Sequence, residues 1–358
     1  MVANTADKYS IKICHKELIA AENSQSLKEH FLPLSNLDLL LPPIEVGLFL
    51  CYKKPPPLSS PLCSFASLVA KLKSSLAKAL AVFYPFAGKV LPNAAGEPAL
   101  LCNNRGVVFI EAYAEVALDQ LNFYDVDRSV ERKLVPKNDG GGVLAVQATE
   151  MECGGLVLGC AFDHRISDAY TFHMFLTAWA EMAASKELSI SPIFDRSLLN
   201  PGKPTKLGSL EPMFELDRLY GLISQLPPPP PPTVIQNLDP QAINRLYYIP
   251  AKEIDRLQFI ASSNGRRRRT KIEAFTAYLW KLMGRVGKAG QVSRMGVVVD
   301  GRRRLGAPEM SAYFGNVLSI PYGSLGVEEV EGMGIAELSD YVHEIVVKAD
   351  SKEHFKGL

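Results

Sequence analysis

What the chain lacks narrows its chemistry first. Its six cysteines, Cys14, Cys51, Cys63, Cys102, Cys153 and Cys160, never form a Cys-x-x-Cys pair, the spacing that zinc sites and thiol redox centres favour. They read as reduced, mostly buried thiols, and no metal site is expected. No apolar run reaches the roughly 18 residues that a membrane span needs. Met1 to Ser10 lacks the basic stretch followed by an apolar core that marks a secretory leader. An excess of one charge is missing too: 39 Lys and Arg face 38 Asp and Glu, for a formal net charge of +1. No global field is therefore present to hold a nucleic acid or an acidic membrane. Internal repeats at solenoid periods are absent as well. A soluble, cytoplasmic monomer is the expectation, with neither nucleic acid nor membrane among its partners.

Apolar material is plentiful. Of 358 residues 47% are hydrophobic and 22% charged, enough to bury at least one sizeable core and more readily two. A disordered chain is excluded. Phe65, Leu68, Val69, Leu72, Leu76, Leu80 and Phe83 recur at helical spacing until Pro85 forbids continuation. Val143 to Glu150 reads as a strand, Gly154 and Gly155 allow a reversal, and Leu156 to Phe162 is a second, nearly continuous apolar strand, so a hairpin deep in a sheet is expected. Phe172, Phe175, Leu176 and Trp179 then mark a buried helix, with Asp163 to Asp168 as the junction.

From about Glu187 to Leu238 periodicity fades and prolines accumulate, ending in the run Pro227 to Pro232. Such a run is an extended polyproline segment, a plain linker before it is a groove-docking ligand. The expected division is therefore an N-terminal domain over 1–186, a proline-rich crossover over 187–238 and a C-terminal domain over 239–358. In the last of these, Thr270 with Glu273 forms a capping-box pattern ahead of Ile272, Phe275, Leu279 and Leu282. Met295 to Val299 reads as a short buried strand ending at Asp300 and Gly301, and Ile335, Leu338, Val342, Ile345 and Val346 make a last helix.

One constellation could carry chemistry. His164 sits where an apolar strand gives out, four residues before Asp168, at the kind of strand-to-helix junction that presents side chains to a cleft. A neutral imidazole there can act as a base; a satisfied core or rim histidine is the ordinary alternative. Asp168 precedes the helical stripe and so reads as an N-cap, a role that leaves room for orienting His164 or pairing with an arginine. His-x-x-x-Asp alone is weak. A metal site from His164, Asp168 and His173 is disfavoured, because His173 lies nine residues along an apolar helix.

The residues around that motif add a resemblance. VLAVQATEMECGGLVLGCAFDHRISDAYTFHMFLTAWAEMA, beginning at Val143, resembles the active-site region of the plant BAHD acyltransferases. LSNLD at Leu34 to Asp38, YPFAGKV at Tyr84 to Val90, TKIEAFTAYLWK at Thr270 to Lys281, and DGRRRL with YFGN between Asp300 and Asn316 are similar to family segments in the same order. The resemblance implies an α/β fold of two chloramphenicol-acetyltransferase-like domains, mixed sheets flanked by helices, with the proline-rich crossover between them. It implies an acyltransferase that moves an acyl group from acyl-CoA to a hydroxyl or amine of a plant specialised metabolite, phenylpropanoid-like in class. His164 would be the general base in a channel between the domains, in direct attack on the thioester, so Cys160 need not be a nucleophile.

Asp168 would pair with an arginine matching Arg302 and support the catalytic loop; the alternative for Arg302 is a solvated charge. Ser262, Ser263, Arg266 and Arg267 match the region bordering coenzyme A and would line its entrance. No permanently bound cofactor is implied; acyl-CoA is a co-substrate and a small alcohol or amine the other partner. YFGN reads as a turn that shapes the interface. Two departures stand out: Ala169 follows the motif Asp where the family commonly has Gly, and the DFGWG segment is absent before Leu358. The alternative function is therefore a shortened, non-catalytic member that binds acyl-CoA, acceptor or a protein partner.

Overall fold

The computed structural model describes residues 9–22, 28–54, 64–94, 96–139, 141–199, 243–263, 265 and 267–358. Cys63, most of the crossover with its six prolines, and Arg266 lie outside the described residues. The chain clusters into two compact units, the first made of Met1–Arg196, Thr233–Leu246 and Ala312–Asn316, the second of Ser197–Pro232, Tyr247–Ser311 and Val317–Leu358. Among the described residues no helix is long and apolar enough to cross a membrane.

The first unit contains strands β1 (Ile11–Ile19), β2 (His30–Pro33), β3 (Glu45–Tyr52), β4 (Lys89–Pro92), β5 (Pro98–Cys102), β6 (Val107–Ala114), β7 (Leu144–Met151) and β8 (Leu156–Asp163). Five form a mixed sheet in the order β1-β6-β7-β8-β3, in which β6 and β7 run parallel and the other pairs antiparallel. A second, antiparallel sheet has the order β2-β5-β4. The expected hairpin is β7 and β8, turning at Gly154 with φ +75°. Both strands are buried along almost their whole length; β8 is accordingly a nearly continuous apolar run, while in β7 the buried Gln147 is satisfied by donating to Lys133 O and Thr149 Oγ1.

Two helices pack together beside this sheet, α1 (Phe65–Val82) and α2 (Ala169–Ala183). Helix α1 starts at Ser64, whose hydroxyl accepts from the amide of Ser67, and ends at Phe83 just before Pro85. Its apolar face meets Phe86, Phe172 and Phe175 in one core. The Phe162 and Phe172 rings stack at 4.1 Å, and Phe86 meets Phe172 edge-on at 5.6 Å. Trp179 is buried, and its indole N–H donates to Leu72 O and Ser75 Oγ at 3.1 and 3.0 Å. A large apolar side chain thus enters the core without an unsatisfied donor.

The second unit holds α3 (Ala251–Ala261), α4 (Lys271–Gly284), α5 (Ile335–Lys348) and α6 (Lys352–Gly357), with strands β9 (Val292–Gly296), β10 (Val299–Asp300), β11 (Leu318–Ser319) and β12 (Tyr322–Gly326). The capping box at Thr270 is formed in both directions. Its helix, however, buries the opposite face from the apolar one expected. Ala274, Ala277, Trp280 and Gly284 point inward, whereas Ile272 and Leu279 are 69% and 41% exposed. Packing is close at the C-terminal end of this face, where a Cβ on Gly284 would lie 3.0 Å from Val330 Cγ1.

Met295 to Val299 is likewise not one buried strand. Residues Val292–Gly296 pair with β12, and Val299–Asp300 pair with β11. The chain changes partner opposite Pro321, which has no N–H to donate and whose carbonyl accepts from Val297 N at 3.1 Å.

Helix α6 was not expected, being a six-residue element too short to show periodicity. Phe355 on it lies where a Cβ on Gly301 would come within 2.4 Å of the ring. Beside it His354 is 7% exposed, with its Nε2 2.7 Å from Ser319 Oγ. Burial holds this imidazole below its ordinary value. The unfolded chain therefore takes up a proton near pH 6.5 that the folded one refuses until lower pH. Stability is accordingly level above about pH 6.5 and lost as pH falls below it. His354→Gln removes this contribution, so its thermal midpoint should fall less between pH 7 and pH 5 than that of the unaltered protein. Equal falls would contradict the assignment.

Candidate active site

Strand β8 ends at Asp163, and a three-residue 3-10 turn, His164–Ile166, follows. The sequence builds this turn locally. The Asp163 carboxylate accepts from the backbone and the guanidinium of Arg165 at 2.5 to 3.0 Å. His164 N donates to Ile44 O at 3.0 Å, next to the start of β3. Ser167 then extends the chain, and Asp168, 1% exposed, caps α2 by accepting from Thr171 N at 2.9 Å. Its N-cap role is thus directly visible, the expected use of a short carboxylate at a helix start. Ala169, in place of the usual glycine, is simply the first residue of that helix and is exposed.

His164 is partly exposed, but its Nδ1 is buried and has no hydrogen-bond partner among the described residues. The ring nitrogen left to meet a solute is Nε2. Among the described residues neither a serine nor a cysteine is hydrogen-bonded to that imidazole. Cys160, four residues upstream, is fully buried, and burial pushes its thiol up to about 12. At neutral pH it is a packed, uncharged thiol rather than a nucleophile.

Beneath the turn lies a buried polar cluster that sequence reasoning only partly identified. Asp38 and Asn316 are both 0% exposed. Asp38 Oδ1 accepts from Asn316 N and Nδ2 at 2.7 and 2.9 Å, and Oδ2 accepts from Ser35 N and Oγ at 2.9 and 2.8 Å. Asn316 Nδ2 also donates to His164 O at 3.0 Å and Arg165 O at 3.2 Å. Three quoted motifs, LSNLD, HRISD and YFGN, therefore meet within one unit. Arg196 joins them, donating to Pro33 O, Tyr313 Oη and Phe314 O at 2.5 to 3.0 Å, with its Nη2 3.8 Å from Asp38. Burial raises the Tyr313 phenol to about 12 against the opposing pull of Arg196, so it stays neutral as an acceptor. Arg196 carried no sequence signal: it is a lone arginine in a stretch without periodicity. Thr171 Oγ1 adds a 2.9 Å bond to Gly315 O, tying the start of α2 to YFGN.

The other expected site residues lie in the second unit. Arg302 is 4% exposed and not a solvated charge; its N and Nη1 donate to Asp300 at 2.7 and 3.1 Å. Ser262 caps the end of α3, its hydroxyl donating to Gln258 O and accepting from Arg269 N. Ser263 and Arg267 are exposed. Arg269, at the end of the same basic run, is instead buried in an ion pair with Asp340.

Only one candidate metal-ligand group occurs among the described residues: His15, Glu17 and Glu111. Lys73 Nζ already bridges those two carboxylates. His173 is exposed on α2 and borders a shallow surface pocket of about 160 Å³ with Tyr170, Met174 and Glu181.

Residues 9–357 match the Transferase family. A hydroxycinnamoyltransferase of Narcissus pseudonarcissus is 27% identical over 94% of this chain and 77% of its own length. The shikimate O-hydroxycinnamoyltransferase of Nicotiana tabacum is 26% identical over 95% of this chain and 78% of its own. Among solved structures, vinorine synthase matches with a TM-score of 0.65 and 23% identity over 94% of this chain and 75% of that one. F. sporotrichioides TRI101, solved with coenzyme A and T-2, matches with a TM-score of 0.64 and 14% identity over 88% and 73%. Those two show the fold, an α/β arrangement of mixed sheets flanked by helices. The chain belongs to the Transferase family, whose plant BAHD members are the acyl-CoA-dependent acyltransferases its motifs resemble.

Proposed function

We propose that the protein transfers a hydroxycinnamoyl or related acyl group from its coenzyme A thioester to the hydroxyl or amine of a small plant metabolite, with His164 as general base. The observation that carries this reading is the His164 turn itself: a partly exposed imidazole, one nitrogen buried, on a backbone tied to both Ile44 and Asn316. A neutral hydroxyl is a poor nucleophile toward a thioester. His164 Nε2 takes its proton as the oxygen attacks the carbonyl carbon, the C–S bond then breaks, and the imidazolium returns the proton to the departing thiolate. The products are ester or amide and free coenzyme A, and the histidine ends neutral. Acyl-CoA is a co-substrate in this scheme. The donor class follows the relatives' names, which also include a fatty alcohol:caffeoyl-CoA acyltransferase and a putrescine hydroxycinnamoyltransferase. Those names span alcohol and amine acceptors.

Asp168 holds the loop by capping α2, and Arg302 serves in the same support. Ser262, Ser263, Arg266 and Arg267 border the coenzyme, whose phosphates need donors of this kind. Arg267→Ala should then raise KM for acyl-CoA about fivefold at unchanged kcat, the loss expected of one exposed charge pair. A lower kcat at constant KM would remove Arg267 from the coenzyme's border. The reading as a whole is tested by incubating the protein with hydroxycinnamoyl, benzoyl and acetyl thioesters against alcohols, shikimate-type acids and polyamines, and detecting products by mass. An ester or amide formed only in the presence of protein is expected. Saturable coenzyme binding without any product would overturn the proposal.

A further inference from the structure

We infer that Asn316, seated on the buried carboxylate of Asp38, is the positioning residue that sets the His164 imidazole in place. The inference rests on His164 being the base. Its starting point is what holds the His164 carbonyl, since Ile44 and Asp163 already fix the backbone amides of His164 and Arg165. His164–Ile166 has one internal bond, Ser167 N to His164 O, at a long 3.4 Å. The stronger hold on the His164 carbonyl comes from Asn316 Nδ2 at 3.0 Å, a residue 152 positions away. The same amide reaches Arg165 O at 3.2 Å, so both carbonyls that open the turn are gathered on one nitrogen.

The amide in turn has no freedom of its own. All three neighbours of Nδ2, two carbonyls and the Asp38 carboxylate, are acceptors, which decides which amide atom faces them. Asp38 grips both the side-chain and the backbone nitrogen of Asn316. That carboxylate is fully buried, a costly state offset here by four hydrogen bonds from Ser35 and Asn316. A bend of the chain at Gly315, where φ is +137°, lets YFGN deliver Asn316 to this place; a Cβ there would lie 2.7 Å from Arg196 Nη1. The linkage runs Asp38, Asn316, His164 carbonyl, imidazole. Misplacing a reacting group by about 1 Å costs on the order of a hundredfold in rate, so loosening this carbonyl acts on the chemical step and not on substrate affinity.

The test compares Asn316→Ala, the exchange Asp38→Asn with Asn316→Asp, and His164→Ala, assayed well below their thermal midpoints. Asn316→Ala should lower kcat at least tenfold with both KM values within about twofold. The exchanged pair retains an amide facing a carboxylate across positions 38 and 316, but leaves the His164 carbonyl only the long bond from Ser167 N. It should therefore regain stability relative to Asn316→Asp alone and remain low in kcat. A folded exchange variant, or folded Asn316→Ala, with full kcat while His164→Ala is inactive would overturn the positioning role and leave the base intact. Full activity in His164→Ala would instead overturn the base, and this inference with it.

Discussion

Replacing His164 by alanine lowers kcat by about a hundred- to ten-thousand-fold, the range expected when a general base is lost, and leaves acyl-CoA binding within about twofold. The selectivity of that loss follows from the structure around the residue. The imidazole is partly exposed and its Nδ1 bonds nothing among the described residues, so truncation breaks no side-chain hydrogen bond that the fold uses. The backbone bonds to Ile44 and Asn316 survive the substitution. The thermal midpoint should accordingly move little. Added imidazole should restore part of the rate if the cavity left by the ring admits it. A variant that unfolds, or one that loses coenzyme binding together with rate, would show that the residue supports the loop rather than the reaction.

Gly159→Ala has the largest expected effect on stability. Gly159 lies in the middle of β8, four residues before Asp163, where a Cβ would come 2.0 Å from Leu134 O and 3.1 Å from Val135 Cα. The obstacle is backbone, which cannot rotate aside as a side chain can. Leu134 is itself fully buried and is held by Leu134 N to Val130 O at 2.8 Å. Either β8 or the 130–135 segment must shift, and β8 is bonded on both sides by β7 and β3. A methyl group forced into such packing should cost about 3 kcal/mol, read as a lower denaturant midpoint at unchanged slope. Because β8 carries His164 at its end, activity should fall with stability. A change below about 0.5 kcal/mol would mean that the Leu134 crossing is looser than described.

Elements fixed by nearby residues were readable in advance. Helix α1 declares itself through seven apolar residues in register and a proline stop. The β7–β8 hairpin does so through the nearly continuous apolar run of β8 behind the Gly154–Gly155 reversal, and Asp168 and Thr270 do so as caps. His164 was visible for the same reason, at the point where an apolar strand turns polar. What depends on distant partners was not readable. The parallel pairing of β6 with β7 leaves no local mark. The split of Met295–Val299 into two strands is decided by a proline on the facing strand. Helix α4 exposes the stripe that periodicity marks as its inner face and packs Ala274, Ala277, Trp280 and Gly284 inward instead. The bond from Asp38 to Asn316 spans 278 positions; each motif was quoted, yet nothing in either indicates that the two touch. Arg196 is the extreme case, a single residue whose partners are three backbone and side-chain acceptors brought together only by folding.

The central claim is direct transfer from thioester to acceptor with His164 moving the proton. It is tested most directly by rapid-quench measurement of thiol release, with hydroxycinnamoyl-CoA in excess over enzyme, with and without the best acceptor. The account predicts thiol and product appearing together in equal amounts only when acceptor is present. A burst of thiol equal to the enzyme concentration without acceptor would mean that an acyl-enzyme forms, and would contradict it.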